Sequence, residues 1–186
     1  MKTLASFNPG KLIDLLTERL TFERTGVELY DKVIDELRAA GDPEAKTMLG
    51  KMQEFRNEEK EHEEWLEEQI RDLGGDAHGK TEMSSLVERE SMGIADVVMK
   101  DDDIPHALHA LLTAELSDNA GWELLVQLAL EADDEDARRA FGRRLHEEED
   151  HLLFLRKAME KLAVRDVLGE DAKLPKRSPL DLNPLR

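Results

Sequence analysis

The sequence predicts an all-α protein, a four-helix bundle of two antiparallel helix hairpins joined by a long crossover that carries a short extra helix. Three observations predict it. Aliphatic residues recur at helical spacing through a chain that is 37% charged and only 4% aromatic, as in helices with one apolar stripe and acidic outer faces. Caps, prolines and glycines bound four long segments. The stretch between the second and third segments is too long for a turn between antiparallel neighbours. With 186 residues the chain suffices for one domain with a real core. Residues 1–168 read as the bundle and 169–186 as a Pro-rich C-terminal tail.

The first helix opens with Asn8 as N-cap and Pro9 at its first position, runs to about Ala40 and is closed by Gly41. Asp42-Pro43 repeats the cap-then-proline signal and starts a second helix that runs to Gly74-Gly75, so the two form a tight hairpin. Residues 76–103 form the crossover, with a short helix around Ser84 to Met99. The caps in "DDDIP" open a third helix that reaches about Glu131, and "ADDED" opens a fourth that reaches about Ala163. From Leu174 onward, "LPKRSPLDLNPLR" has three prolines in thirteen residues and no helical period, which predicts an extended or disordered arm able to dock to a partner.

Composition narrows the function. A formal net charge of −17 disfavours nucleic acid and anionic membrane surfaces and favours cations as guests. The chain has no cysteine, which excludes disulfides, thiolate catalysis, iron–sulfur clusters and Cys-based zinc sites. No apolar run is long enough for a secretory h-region or a membrane span, so a cytoplasmic location is expected.

The informative carboxylates lie on the inward stripes. The first helix reads Leu16, Leu20, Glu23, Val27, Tyr30, Ile34, Leu37, and the fourth reads Phe141, Leu145, Glu148, Leu152, Leu155, Met159, Leu162. One glutamate interrupts each. The second reads Met48, Met52, Phe55, Glu59, His62, Leu66, and the third reads Leu108, Leu111, Glu115, Asp118, Trp122, Leu125. An unpartnered ionised carboxylate in a core costs several kcal/mol, and four converging there are untenable without a cation. His62 follows Glu59 by three residues and His151 follows Glu148 by three, so each pair shares a helix face and can chelate. Either Glu-x-x-His is weak alone; the constellation over four helices predicts a dinuclear metal site. In the two acidic runs "EEKEHEEWL" and "EEEDHLLFL", the neighbouring Glu58, Glu61, Glu63 and Glu64 read as flanking or solvated groups.

At these six residues the chain resembles the ferritin-like di-iron carboxylate superfamily, which includes ferritins, bacterioferritins, rubrerythrins and manganese catalases. The resemblance covers about residues 8–163 and implies Glu23, Glu59, His62, Glu115, Glu148 and His151 as metal ligands, with Glu59 and Glu148 as bridges between two metals. The ligand pattern itself is the general one for this fold. The halves also look like a pseudo-duplicate: Glu23 and Glu115 each follow a threonine at two residues and precede an aromatic at seven, Tyr30 and Trp122. An approximate two-fold axis through the metals is expected. Tyr30, the only tyrosine, is the candidate redox residue. Asp118, whose counterpart is Gly26, is expected to accept the ring N–H of a ligand histidine, with direct ligation as the alternative.

Mixed carboxylate and imidazole ligands suit two Fe ions, with Mn possible. The resemblance therefore implies Fe(II) oxidation coupled to reduction of O2 or H2O2, a ferroxidase or peroxidase-like oxidoreductase for iron or oxidative-stress handling. The alternatives are a manganese catalase, a di-iron oxygenase, or a metal-binding stress or cargo protein with little turnover. Without cysteine there is no rubredoxin-type centre. Lys60 and Glu61 stand between Glu59 and His62, where bacterioferritins place a haem-ligating methionine, so no haem is predicted. A homo-oligomer, most simply a dimer, is expected.

Overall fold

The computed structural model describes residues 1–41, 43–100 and 103–169, the side chain of Glu44 excepted. Six helices occupy these residues: α1 (Lys2–Ala5), α2 (Pro9–Ala39), α3 (Pro43–Asp72), α4 (Glu82–Lys100), α5 (Ile104–Glu131) and α6 (Glu135–Leu168). The long ones are α2, α3, α5 and α6. They form the bundle as two hairpins, α2 with α3 and α5 with α6, and α4 lies across α2 and α5.

Local chemistry explains the ends. The Asn8 side chain accepts a hydrogen bond from Lys11 N at 3.1 Å, and Pro9 costs nothing where the N–H has no helical partner. Asp103 and Asp134 cap α5 and α6 in the same way. α3 stops where Gly74 takes a φ of 80°, a left-handed conformation that costs glycine little, and Gly75 N then donates to Ile70 O at 2.8 Å. The cap expected at Asp42 and the extended tail from Leu174 lie outside the described residues.

Two boundaries differ from expectation. The fourth bundle helix continues to Leu168 rather than about Ala163, because no proline or glycine precedes Gly169 to stop it. The short α1 was not expected. It is held by a distant contact, since Leu4 N donates to Asp134 at 3.0 Å across the α5–α6 turn and Leu4 is buried among the side chains at that end.

The core comes in two apolar clusters separated by a polar layer. At one end Leu16, Leu20, Leu66, Ile70, Trp122, Leu125 and Phe141 pack together. At the other end Leu29, Val33, Leu37, Met52, Phe55, Leu108, Leu111 and Leu155 do so. Each fully buried aliphatic or aromatic side chain contributes about 1.5–3 kcal/mol, so the two clusters fix the four helices above and below the layer between them. No helix among the described residues is long and apolar enough to cross a membrane.

Candidate metal centre

The polar layer consists of the residues that interrupt the apolar stripes. Glu23 comes from α2, Glu59 and His62 from α3, Glu115 and Asp118 from α5, and Glu148 and His151 from α6. All seven are buried, none more than 4% exposed. His62 Nδ1 lies 3.3 Å from Glu23 Oε2 and 3.0 Å from Glu148 Oε1. His151 Nδ1 lies 3.2 Å from Glu59 Oε1 and 3.3 Å from both Glu115 Oε2 and Glu148 Oε2. Glu148 thus offers one oxygen to each histidine.

Three overlapping groups of potential ligand atoms lie within 4.8 Å: Glu59, Glu115, Glu148 and His151; Glu23, His62 and Glu148; and Glu23, Glu59, Asp118 and Glu148. Glu148 belongs to all three, and Glu23 and Glu59 to two each. The inward atoms, both Nδ1, both Glu148 oxygens and one oxygen each of Glu23, Glu59, Glu115 and Asp118, make no hydrogen bond. Buried polar atoms left unpaired are costly. Their convergence on common points, in a donor set of carboxylate and imidazole, fits a pair of transition-metal ions.

The outward atoms of both histidines, Glu23 and Glu115 are held. His62 Nε2 sits 2.8 Å from Glu147 Oε2, and His151 Nε2 sits 2.9 Å from Glu58 Oε2. Each bond crosses between α3 and α6, and a ring that donates its Nε2 proton to a carboxylate leaves Nδ1 free for a metal. Tyr30 Oη donates to Glu115 Oε1 at 2.6 Å, and Trp122 Nε1 donates to Glu23 Oε1 at 2.8 Å. Arg143 Nε in turn donates to Glu147 at 3.1 Å.

Glu58 and Glu147, which hold the two imidazoles, were not anticipated from the sequence. A signal for them existed, because each is the glutamate directly before the Glu of Glu-x-x-His, and the two halves repeat it. Asp118 has a different partner from the expected histidine. Its carboxylate and its backbone oxygen both accept from the Arg19 guanidinium, the latter at 2.9 Å, and its other carboxylate oxygen faces Glu23, Glu59 and Glu148. Gly121 makes room for that arginine, since a Cβ there would lie 2.2 Å from the guanidinium. Gly26 does the same for Glu59, whose Oε2 would be 2.4 Å from an added Cβ. His78, His106, His109 and His146 are exposed and take no part.

Electrostatics in the metal-free layer follow from crowding. Burial, then Glu148, Glu23 and Glu115, push the Glu59 carboxyl well above the usual range. Burial also pushes Glu115 up to about 7 against the pull of His151, and burial with Glu23 and Glu148 raises Asp118 despite Arg19. Burial opposes a charge on His62, but Glu23, Glu147 and Glu148 outweigh it and raise its pKa. His151 is likewise raised against burial by Tyr30, Glu148 and Glu115. Glu148 goes the other way: burial would raise it, but His151 and His62 hold it low. Protons on imidazoles and carboxyls thus neutralise the layer where cations would otherwise do so.

No model of a known protein family matches the sequence, and no curated protein matches it. The structure is similar to a crystal structure of a ferritin-like, diiron-carboxylate protein from Bacillus anthracis strain Ames, with a TM-score of 0.60 and 15% sequence identity over 80% of this chain and 95% of that one. With the two hairpins, the long crossover and the buried Glu/His layer, that likeness identifies the fold of this chain as the ferritin-like helical bundle.

Proposed function

We propose that the chain binds two iron ions between its four long helices and oxidises Fe(II) with O2 or H2O2. The observation that carries this reading is Glu148, whose two buried oxygens face two different imidazole Nδ1 atoms and make no hydrogen bond. One ion would be held by Glu23 and His62, the other by Glu115 and His151, with Glu59 and Glu148 shared. Bound iron supplies the electrons for reducing the oxidant.

The chain's own residues do the rest. Glu58 and Glu147 fix the imidazole planes, and Tyr30 and Trp122 fix the outer oxygens of Glu115 and Glu23. The two apolar clusters keep bulk water from the layer. Tyr30 already directs its proton at Glu115, so we assign to it any protein-based redox step, the phenolic proton passing to that carboxylate and the electron to the O2 or H2O2 being reduced. Burial and Glu115 hold the phenol well above its ordinary pKa, which keeps that proton in place at rest.

The test is an anaerobic Fe(II) titration followed by O2 or H2O2. Two ions per chain with rapid oxidation are expected; fewer than two would overturn the site, and binding without oxidation would overturn the activity. Affinity should climb between about pH 6 and pH 8 with release of protons, because groups raised in the metal-free protein, Glu115 at about 7 among them, must give up their protons to the ions.

A further inference from the structure

One buried polar atom near the layer takes no part in it. Ser91, on α4, is 6% exposed and its Oγ has no hydrogen-bond partner. It lines a small pocket between α2, α4 and α5 that runs inward from half-buried Thr25 and Ile94 to the carboxylates of Glu59, Glu115 and Asp118. The pocket owes its floor to Gly26, whose missing side chain leaves Glu59 exposed to it. About 10 Å³ is open to the centre of a water-sized sphere, which is room for roughly one such molecule. Phe22, Leu29 and Ala114 make most of the remaining wall apolar.

We infer that this pocket is where a small uncharged oxidant reaches and rests beside the carboxylate layer, with the Ser91 hydroxyl as its hydrogen-bond partner. The inference rests on the function proposed above and adds the route and the hydrogen-bond partner of the oxidant. The apolar wall opposes a hydrated cation, and the acidic floor opposes an anion. That room suits a molecule of two or a few atoms, such as dioxygen or hydrogen peroxide, better than an organic substrate. The crossover helix then has a role: through Ser91 and Ile94 it supplies one wall of this pocket.

Nitric oxide, a neutral diatomic, tests the route on the Fe(II)-loaded protein without turnover. Ser91→Val should fill the pocket and slow nitric oxide association at least tenfold, while Fe(II) still binds at two per chain with unchanged affinity. Ser91→Ala keeps the space and removes the hydroxyl, so nitric oxide should associate as in the wild type. For that variant the KM for H2O2 should rise about 3–10-fold at constant kcat, the worth of one hydrogen bond. Wild-type association in Ser91→Val overturns the route and leaves the metal site standing. Slowed Fe(II) uptake with normal nitric oxide association would make the pocket a cation portal and also overturn it. An unchanged KM in Ser91→Ala, the milder variant if Ser91→Val folds poorly, removes the role of the hydroxyl. A wild-type protein that takes up no Fe(II) sinks the proposed function itself, and this proposal with it.

Discussion

The two halves of the bundle, α2–α3 and α5–α6, are nearly the same machine in the plane of the polar layer and differ just outside it. Within the plane the contacts that hold the outer atoms come in pairs. Tyr30 of the first half donates to Glu115 of the second, and Trp122 of the second donates to Glu23 of the first. His62 reaches Glu147, and His151 reaches Glu58. Outside the plane, Gly26 in the first half corresponds to Asp118 in the second. The glycine opens a pocket, and the aspartate, which lines the same pocket, is tied to a buried arginine. The donors that hold the outer oxygens of Glu23 and Glu115 repeat between the halves, whereas the residues three positions further on, Gly26 and Asp118, do not.

The largest test of this comparison removes the residue common to both halves. Glu148→Ala should abolish uptake of both ions by calorimetric titration; one ion retained at full affinity would show that the halves bind independently. Next come the crossed carboxylates. Glu58→Gln and Glu147→Gln should each weaken metal binding about 10–100-fold, the usual effect of releasing a ligand imidazole. The two losses should agree within a few-fold, and a large inequality would break the equivalence.

The smallest effect is expected at Tyr30. Tyr30→Phe leaves a buried Glu115 oxygen without its donor and should lower metal-free stability by about 1–3 kcal/mol in urea unfolding. Metal stoichiometry should stay at two. Any loss of oxidation rate beyond that seen in Trp122→Phe, which removes the matching donor, would separate a redox role for Tyr30 from a positioning one.

Much of this was legible because the pattern is periodic. Glu23, Glu59, Glu115 and Glu148 stood out as charges on otherwise apolar stripes, and the structure buries all four in one layer. Glu58 and Glu147 were not legible as partners: each sits one residue off the stripe, at 28% and 23% side-chain exposure, where a glutamate is ordinarily solvated. Their role depends on the histidine of another helix. Arg19 escaped for a similar reason. It lies among the charges of the first helix, and only the packing of α5, with a glycine at 121, admits its guanidinium to the interior.

By itself the sequence determined the helices, their hairpin pairing and the set of inward carboxylates and histidines, because caps and the helical period are local properties of the chain. The tertiary structure decided which nitrogen of each histidine faces inward, which carboxylate is shared, what holds Asp118 and where the pocket opens. Those depend on distances between residues tens of positions apart, set by how four helices and a crossover pack, and no local pattern encodes them.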